Sequence, residues 1–293
     1  MKPTLLELIA QGRTLVSDGA WGTFLQSKGL EAGTCPELWN DIHPDAVLDI
    51  ARGYIAAGAD MIETNSFGGN RFKLETFGLE DQVYTLNRKA AEISRAAAGN
   101  DKYVLGSVGP TGKMLIMGDV TEEELYDAFK EQSIALYEGG ADAIIIETMT
   151  AIDEASIAVR AARENTPCEV ICTMTFDHLV TGDYRTMMGV SPAEMVVALK
   201  ESGAHMVGAN CSNGIEGMIS ITEEIRSVDS NIPVLIHANA GLPVLQGVCT
   251  VFPESPEMMA AFAPRLAHAG ANIIGGCCGT TPEHIHKLVE VLR

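Results

Sequence analysis

Short apolar runs alternate with amphipathic stretches along the whole chain, and this alternation restricts the fold more than any other feature of the sequence. Several runs are apolar at consecutive positions, as in Ala143-Ile144-Ile145-Ile146, which is typical of parallel strands buried on both faces. The runs recur roughly every 30 to 45 residues, which is the spacing of βα units. They give eight candidate strands, at residues 14–20, 60–67, 103–109, 141–149, 168–176, 205–212, 233–240 and 272–278.

One helix-to-strand joint recurs along the chain and indicates an architecture built from similar units. The dipeptide Gly-Ala stands at the start of a candidate strand four times, at Gly58-Ala59, Gly140-Ala141, Gly203-Ala204 and Gly270-Ala271. Eight strand–helix units predict an α/β chain that folds as a single (β/α)8 TIM barrel over residues 1–293, with its functional residues at the carboxyl ends of the strands. An open doubly wound sheet with an appended domain is the structural alternative.

Capping signals predict where several helices begin. Thr121-x-x-Glu124 and Ser191-Pro192-Ala193-Glu194 have the spacing of capping boxes and predict helices over residues 122–139 and 192–202. Residues 1–12 predict a short helix ahead of the first strand, and we expect it to cover the bottom of the barrel.

Composition excludes several classes of partner. The formal net charge of −19 disfavours binding to nucleic acid or to an anionic membrane. Apolar runs are too short to span a bilayer, and the N-terminus lacks a signal-peptide pattern. Seven cysteines, an odd number, indicate reduced thiols and a cytoplasmic location.

Two adjacent cysteines lie near the end of the chain, in Gly275-Gly276-Cys277-Cys278-Gly279, between an apolar run and a helix start. Thr280 with Glu283 fits a capping box there, and Thr281 before Pro282 fits an N-cap followed by the first helical position. A helix N-terminus favours the thiolate, which is the form of cysteine that binds metal. Burial of the two cysteines as small apolar side chains is the alternative.

A third thiol, in Gly208-Ala209-Asn210-Cys211-Ser212, ends another apolar run and favours a metal site. Three thiols from two strand ends match the ligands of zinc, and three protein ligands leave one coordination position open, as in catalytic sites. Because three thiolates make the ion electron-rich, we expect it to activate a substrate thiol for alkyl transfer rather than water for hydrolysis. Of the other cysteines, Cys168 and Cys172 are expected to pack within a strand, and the sequence assigns no role to Cys35 or Cys249.

Acidic residues also end two candidate strands: Asp18 ends the first and Glu147 the fourth. Each could simply cap the following turn. In a barrel, the two carboxylates could instead bind an ammonium group while the backbone amides of Gly19-Ala20-Trp21-Gly22-Thr23 bind a carboxylate. This combination predicts a site for an amino acid.

Four motifs resemble those of the homocysteine S-methyltransferase family, and the resemblance covers nearly the whole chain. They are Asp18-Gly19-Ala20-Trp21-Gly22-Thr23, Gly58-Ala59-Asp60-Met61-Ile62-Glu63-Thr64-Asn65-Ser66-Phe67, Gly208-Ala209-Asn210-Cys211 and Gly275-Gly276-Cys277-Cys278-Gly279. The resemblance implies a zinc-dependent (β/α)8 barrel that methylates the thiol of homocysteine to give methionine.

Site residues follow from the same resemblance. It implies that Cys211, Cys277 and Cys278 bind the zinc ion that activates the substrate thiol. Asp18 and Glu147 are then expected to hold the amino group of homocysteine. The substrate-binding set implied in this way is Asp18, Gly19, Thr23, Glu147 and Asn210.

Two further motifs, Asn239-Ala240-Gly241-Leu242-Pro243 and Pro36-Glu37-Leu38-Trp39-Asn40, resemble the branch of cobalamin-dependent methionine synthases. In that branch the residue matching Asn239 can fill the fourth zinc position until homocysteine displaces it. The chain ends at Arg293, so we expect no folate-binding or cobalamin-binding domain. The methyl donor is then either methylcobalamin on a separate corrinoid protein or a small sulfonium compound. Trp21 replaces a smaller residue of many relatives, and it either reshapes the acceptor pocket or packs.

Other functions remain open beside in-line methyl transfer to homocysteine. One is a corrinoid-linked zinc methyltransferase acting on another methylated substrate or thiol; another is a barrel that binds zinc or thiols without catalysis. A phosphate-binding barrel that uses Gly275-Gly276 leaves Cys211 unexplained. His205 and His237 lie in candidate strands and are expected to be satisfied core or rim groups, whereas His268 is expected to be exposed on a helix.

Overall fold

The computed structural model describes residues 2–246 and 249–293, without the side chains of Gln246 and Cys249. Met1 of the predicted N-terminal helix and the side chain of Cys249 therefore lie outside the described residues. No helix in these ranges is long and apolar enough to cross a membrane.

Eight parallel strands form one sheet, and each of them falls within or beside a predicted run. They are β1 (Leu15–Val16), β2 (Met61–Glu63), β3 (Tyr103–Val108), β4 (Ala143–Met149), β5 (Glu169–Met174), β6 (Met206–Gly214), β7 (Val234–Asn239) and β8 (Ile273–Gly276). Their spatial order is β1-β8-β7-β6-β5-β4-β3-β2, and every paired neighbour is parallel. This order, with a helix after each strand, confirms the (β/α)8 TIM barrel.

The barrel closes between β1 and β2, where hydrogen bonds to side chains replace most of the regular backbone pairing. The backbone N–H of Asp60 donates to the carbonyl of Val16 (2.7 Å), and the Asp60 carboxylate accepts from the N–H of Val16 (3.0 Å). Further along the seam, the Asp18 carboxylate accepts from the N–H of Glu63 (2.8 Å). Both strands are shorter than predicted, and after β2 the chain turns at Ser66, whose N–H donates back to Thr64 O (2.9 Å).

Eight helices cover the outside of the sheet, one after each strand. They are α1 (Pro44–Ala56), α2 (Val83–Ala98), α3 (Glu122–Glu138), α4 (Ile152–Asn165), α5 (Pro192–Glu201), α6 (Ile215–Val228), α7 (Pro256–Ala269) and α8 (Pro282–Leu292). Shorter elements precede or join them: α-helices Leu5–Ala10, Gly22–Ser27, Trp39–Ile42 and Arg71–Glu75, and 3-10 turns Glu80–Gln82 and Leu115–Met117.

The predicted helix starts are largely correct. Both capping boxes, at Thr121 before α3 and at Ser191 before α5, are present, and each of these helices ends one residue earlier than predicted. At α8, Thr281 is the N-cap and Pro282 follows it, as predicted. The capping box between Thr280 and Glu283 was wrong, because the Thr280 hydroxyl donates to the carbonyl of Cys277 (2.8 Å) instead.

A short helix closes the amino-terminal end of the barrel, as predicted from residues 1–12. Leu5 and Leu8 of helix Leu5–Ala10 are buried in a cluster with side chains from the barrel interior, including Leu15 of β1 and Ile273 of β8. Burial of each leucine contributes about 1.5–3 kcal/mol. The Glu169 carboxylate fixes the helix by accepting from the N–H groups at its start.

Two small antiparallel hairpins extend the loops at the carboxyl end of the barrel. One pairs Asp177–His178 with Tyr184–Arg185 after β5, and the other pairs Val244–Gln246 with Cys249–Val251 after β7. Since βα loops meet at this end, the hairpins lie around the place where a barrel carries its functional residues.

Candidate functional site

Three thiols converge at the carboxyl end of the barrel. Cys211 lies in β6, while Cys277 and Cys278 directly follow β8, and β7 separates the two strands. The sulfur atoms lie within 4.8 Å of one another, and those of Cys211 and Cys278 are 3.9 Å apart. The Cys277 N–H donates to the Ala238 carbonyl of β7 (2.7 Å), which fixes the loop to the sheet. The structure thus brings the predicted zinc ligands together.

The backbone at Cys211 adopts a conformation that costs free energy. Cys211 and Ser212 have φ angles of 62° and 55°, in the left-handed region, where the strand register shifts. Such residues cost about 1–3 kcal/mol each and are common at functional sites. The segment is held by the hairpin after β5: Ser212 donates to Asp177 (2.9 Å), and Asn213 donates to the Phe176 carbonyl (2.6 Å).

The thiols are electrostatically suited to a cation. Hydrogen bonds from Cys277 and Cys278 lower the pKa of Cys211 to about 3, and their thiols correspondingly show raised pKa values. The cluster therefore favours one thiolate stabilised by two thiols, and ionising the other two requires a positive charge.

Asn239, the last residue of β7, completes the candidate donor set. Its side chain is buried, and its polar group contributes to the lowered pKa of the Cys211 thiol. Its side-chain oxygen is buried without a hydrogen-bond partner among the described residues. Three thiolates and one oxygen fit zinc, which takes soft sulfur ligands in four-coordinate sites. The role of Asn239 as a zinc ligand stays a prediction.

A cavity of about 270 Å³ opens beside the thiols and reaches into the barrel. It is lined by the three cysteines, by His237 and Gly276, and by residues of strands β2, β3 and β4 and of the segments that follow β1 and β2: Gly19, Ala20, Trp21, Gly22, Thr23, Leu25, Pro36, Glu37, Glu63, Thr64, Asn65, Ser66, Phe67, Ser107, Glu147 and Thr148. Of the predicted substrate-binding residues, Gly19, Thr23 and Glu147 face this cavity.

The chain belongs to the homocysteine S-methyltransferase family. The model of that family, described as homocysteine S-methyltransferase, matches residues 15–292, which confirms the predicted family and class of enzyme. Methionine synthases of Mycobacterium leprae and Mycobacterium tuberculosis are each 35% identical over 306 residues, with 98% of this chain and 25% of theirs covered. This chain therefore spans about a quarter of the length of those curated relatives.

Crystal structures of one family member have the same fold. The homocysteine methyltransferase MmuM of Escherichia coli is 23% identical in an oxidized form and 22% in a metallated form, and both have a TM-score of 0.79. The alignments cover 98% and 97% of this chain, respectively, and 99% of MmuM.

In the present protein, Asp18 is buried and is not among the residues that line the cavity. It is fully buried, and one of its carboxylate oxygens accepts from Trp21 Nε1 and from the N–H of Glu63, each at 2.8 Å. The other oxygen accepts from the Ser17 hydroxyl (3.2 Å). Burial raises the pKa of Asp18, and the hydrogen bond from Glu63 partly offsets that rise. Oδ2 thus accepts two hydrogen bonds and Oδ1 one, and the predicted role of Asp18 as an ammonium ligand stays a prediction.

Asn210 is likewise buried away from the cavity. Its side-chain oxygen accepts from the N–H of Thr148 (2.8 Å) and from the Thr173 hydroxyl (2.7 Å), and its nitrogen donates to the Thr148 hydroxyl (2.7 Å). Thr148 itself has a φ angle of 59°. Asn210 therefore holds the strained residue next to Glu147, and its role as a substrate-binding residue stays a prediction.

The segment after β1 depends on glycine. The Thr280 hydroxyl accepts from the N–H of Ala20 (3.0 Å), and a Cβ atom on Gly19 or Gly276 would lie 2.6 or 2.3 Å from that hydroxyl. Trp21 lines the cavity and its indole nitrogen donates to Asp18, and its role in reshaping an acceptor pocket stays a prediction.

Two cavity residues were missing from the predicted site. Glu63 ends β2, and its Oε1 lies 3.3 Å from Nδ1 of His237 on β7. Burial raises the pKa of Glu63 well above its ordinary value, with the charge of Asp18 adding to the rise, whereas burial lowers the pKa of His237. Glu63 stands in the strand-end run Glu63-Thr64-Asn65, so the sequence signal was available. His237 was expected to be a satisfied core or rim group, but its Nε2 has no partner among the described residues.

The remaining predicted groups lie elsewhere. Cys168 and Cys172 are buried among apolar side chains, and His268 is exposed, as predicted. His205 accepts from the N–H of Val170 (2.8 Å). Cys35 is buried outside the thiol cluster and donates to the Glu37 carboxylate (3.3 Å).

Proposed function

We propose that this protein transfers a methyl group to the thiol of homocysteine on a zinc ion and releases methionine. The observation that carries the proposal is one cavity whose wall holds both the three thiols and buried carboxylates. The thiols are suited to hold a metal that takes a sulfur ligand, and the carboxylates are suited to an ammonium group. An amino acid with a thiol on its side chain offers both groups.

Cys211, Cys277 and Cys278 would hold the zinc ion, with Asn239 beside them. When bound, zinc would lower the pKa of the substrate thiol and leave the thiolate nucleophilic at neutral pH. The chain's own residues then orient the substrate. The carboxylates of the cavity floor bind the ammonium group, and the amides of the segment from Gly19 to Thr23 bind the carboxylate.

We infer that the methyl donor is methylcobalamin carried by a corrinoid protein. Large apolar side chains are exposed on three loops at the carboxyl end of the barrel, after β3, β5 and β7; they include Ile116 (77% exposed), Met187 (75%) and Leu245 (78%). Exposed apolar side chains grouped at a site mouth favour a macromolecular partner. A small sulfonium donor, which requires no such surface, is the second candidate.

The test is turnover of homocysteine by the zinc-loaded protein with a panel of donors: free methylcobalamin, S-methylmethionine, S-adenosylmethionine and betaine. Methionine from methylcobalamin alone supports the proposal. Methionine from a sulfonium donor would instead show that the methyl donor is a small sulfonium compound. If zinc is bound and no donor yields methionine, another acceptor thiol or a non-catalytic binding function replaces the proposal. The cytoplasmic location stays a prediction.

A further inference from the structure

Three residues other than glycine have a positive φ angle in the described part of the chain, and all three lie at the carboxyl end of the barrel. They are Thr148 (59°), near the end of β4, and Cys211 (62°) and Ser212 (55°) in β6. This conformation is rare for a β-branched residue such as threonine. Strained backbone of this kind persists only where the surrounding contacts hold it in place.

Both strands bulge at these residues. The pairing of β4 with β5 shifts register at Glu147 and Thr148, and the pairing of β6 with β7 shifts register from Cys211 onward. A bulge changes the direction in which nearby side chains point, and bulges are common next to active sites. Here the β4 bulge brings Glu147 and Thr148 to the cavity wall, and the β6 bulge brings Cys211 to it.

The buried side chain of Asn210 connects the two bulges. Asn210 precedes Cys211 in β6, and its amide reaches past β5, the strand between β6 and β4, to Thr148. Its oxygen accepts from the Thr148 N–H (2.8 Å), and its nitrogen donates to the Thr148 hydroxyl (2.7 Å). On β5, the Thr173 hydroxyl donates to the same oxygen (2.7 Å). Directly after β5, the Thr175 hydroxyl donates to the Asn210 carbonyl (2.7 Å). One side chain therefore fixes the two bulges relative to each other.

The two bulges carry groups with different chemistry. Cys211 belongs to the thiol cluster, whereas Glu147 is a carboxylate, and both line the same cavity. Under the proposed function, the acceptor has its thiol at the cluster and its amino group at the carboxylates. The separation of the two bulges is then the length that the acceptor must span. A fixed separation favours one chain length, because a shorter thiol cannot reach both groups in their best positions.

We infer that Asn210 is a positioning residue that determines the chain length of the acceptor thiol. By holding the β4 bulge against the β6 bulge, it sets the separation of Glu147 from Cys211. This inference rests on the proposed function, because it takes the acceptor to be an amino acid with a thiol on its side chain. The site then distinguishes homocysteine from cysteine, which is shorter by one methylene, and this discrimination requires Asn210.

The experiment compares the binding of homocysteine and cysteine by isothermal titration calorimetry on the zinc-loaded protein. We expect the unchanged protein to prefer homocysteine by about 10- to 200-fold, the range for one methylene in a fitted site. In Asn210→Ala, the Thr148 N–H loses its acceptor and the β4 bulge relaxes. The preference should therefore fall at least about fivefold.

A second substitution, at Thr148, separates positioning from general damage. Glycine adopts a positive φ angle without steric cost. Asn210→Ala combined with Thr148→Gly should therefore keep the β4 bulge and recover the preference for homocysteine. Asn210→Ala combined with Thr148→Ala also lacks the Thr148 hydroxyl but keeps a Cβ atom at the strained position, and it should not recover the preference.

Asn213→Ala is the matched control, since Asn213 is another buried asparagine of β6. Its described hydrogen bond goes to the Phe176 carbonyl (2.6 Å), beyond the end of β5, rather than to β4. The preference for homocysteine should persist in this variant even where both affinities fall. Zinc content and circular dichroism are measured for every variant.

The outcomes distinguish this inference from the proposed function. It is overturned if Asn210→Ala keeps the preference, if it weakens both ligands equally, or if Asn213→Ala loses the preference to the same extent. Where Asn210→Ala does not fold or bind zinc, the double variants decide: recovery with Thr148→Gly but not with Thr148→Ala supports the inference, and any other result overturns it. If the unchanged protein binds both thiols equally, the inference fails while the proposed function stands. If it binds neither, both fail.

Discussion

Carboxylates at the two ends of the barrel have opposite surroundings. At the amino-terminal end, Asp60 lies within 4 Å of Arg13, Lys102 and Arg293, and its oxygens also hold the N–H of Val16. At the carboxyl-terminal end, Glu63 and Glu147 have no lysine or arginine within salt-bridge distance in the described part of the chain. The protein itself therefore supplies basic partners for Asp60, but no lysine or arginine for Glu63 and Glu147 among the described residues.

The largest effect is expected from the three clustered thiols at the carboxyl-terminal end of the barrel, those of Cys211, Cys277 and Cys278. Cys211→Ala and Cys277→Ala should each abolish zinc binding and turnover, because two protein thiolates no longer complete the donor set. The fold should remain, since neither side chain belongs to the main apolar core. Zinc stoichiometry, turnover and circular dichroism are the measurements. Full zinc stoichiometry in both variants would rule out the site.

A large effect on stability is expected at the opposite end. Asp60→Ala removes the acceptor for the Val16 N–H and the partner of Arg293, so the free energy of unfolding should fall by about 2 kcal/mol in urea titrations. The affinity for homocysteine should change little by comparison. Asp101→Ala, at an exposed neighbouring position, is the control and should stay within about 0.5 kcal/mol. Equal effects of the two substitutions would contradict the structural role of Asp60.

Glu63→Gln should change stability in the opposite direction to Asp60→Ala. In the absence of homocysteine it should raise the free energy of unfolding at neutral pH. The folded-state pKa of Glu63 lies above its ordinary value of 4.5, so the folded chain binds this proton more tightly than the unfolded chain does. Stability is therefore lost as the pH rises from about 4.5 through the raised pKa, and removing the charge should recover at least about 1 kcal/mol. Thermal melts at several pH values test this, and the gain should vanish below pH 4.5. A variant less stable than the parent at pH 7 would refute the assignment of an unneutralised carboxylate.

The smallest effect is expected at the exposed rim. Leu245→Ser, on the hairpin after β7, should change stability by no more than about 0.5 kcal/mol, because the side chain is 78% exposed. Turnover with free methylcobalamin should be unchanged, while the KM for a methylated corrinoid protein should rise severalfold as the apolar contact is lost. An unchanged KM would remove this hairpin from the proposed docking surface.

Most of the fold was predictable because it depends on short-range patterns. The apolar runs located all eight strands, and two capping boxes located helix starts within a residue. The thiol cluster was also predictable, since parallel strands that are close in the barrel bring their carboxyl ends together. The sequence did not show which buried polar side chains hydrogen-bond to residues far away along the chain.

Asp18 illustrates this limit. Its position at a strand end correctly placed it near the site, but the donors that engage it include the N–H of Glu63, 45 residues further along the chain. Asn210 is engaged by Thr148, 62 residues away. The hydrogen-bond partners of a carboxylate or an amide can thus lie far away along the chain, and only the packed structure identifies them.

Few hydrogen bonds hold the junction between β1 and β2, and this affects how the barrel opens. Of the backbone hydrogen bonds in the described residues, one, from Asp60 to Val16, joins these strands directly, and the Asp18 carboxylate holds the Glu63 amide further along. Local opening of a barrel is easiest where the fewest backbone bonds must break together. Hydrogen exchange at the Glu63 amide should therefore report two events at once: the separation of β1 from β2 and the movement of the Glu63 side chain out of the cavity wall. Ligand binding should slow that exchange, so the closing of the barrel and the filling of the site form one cooperative event.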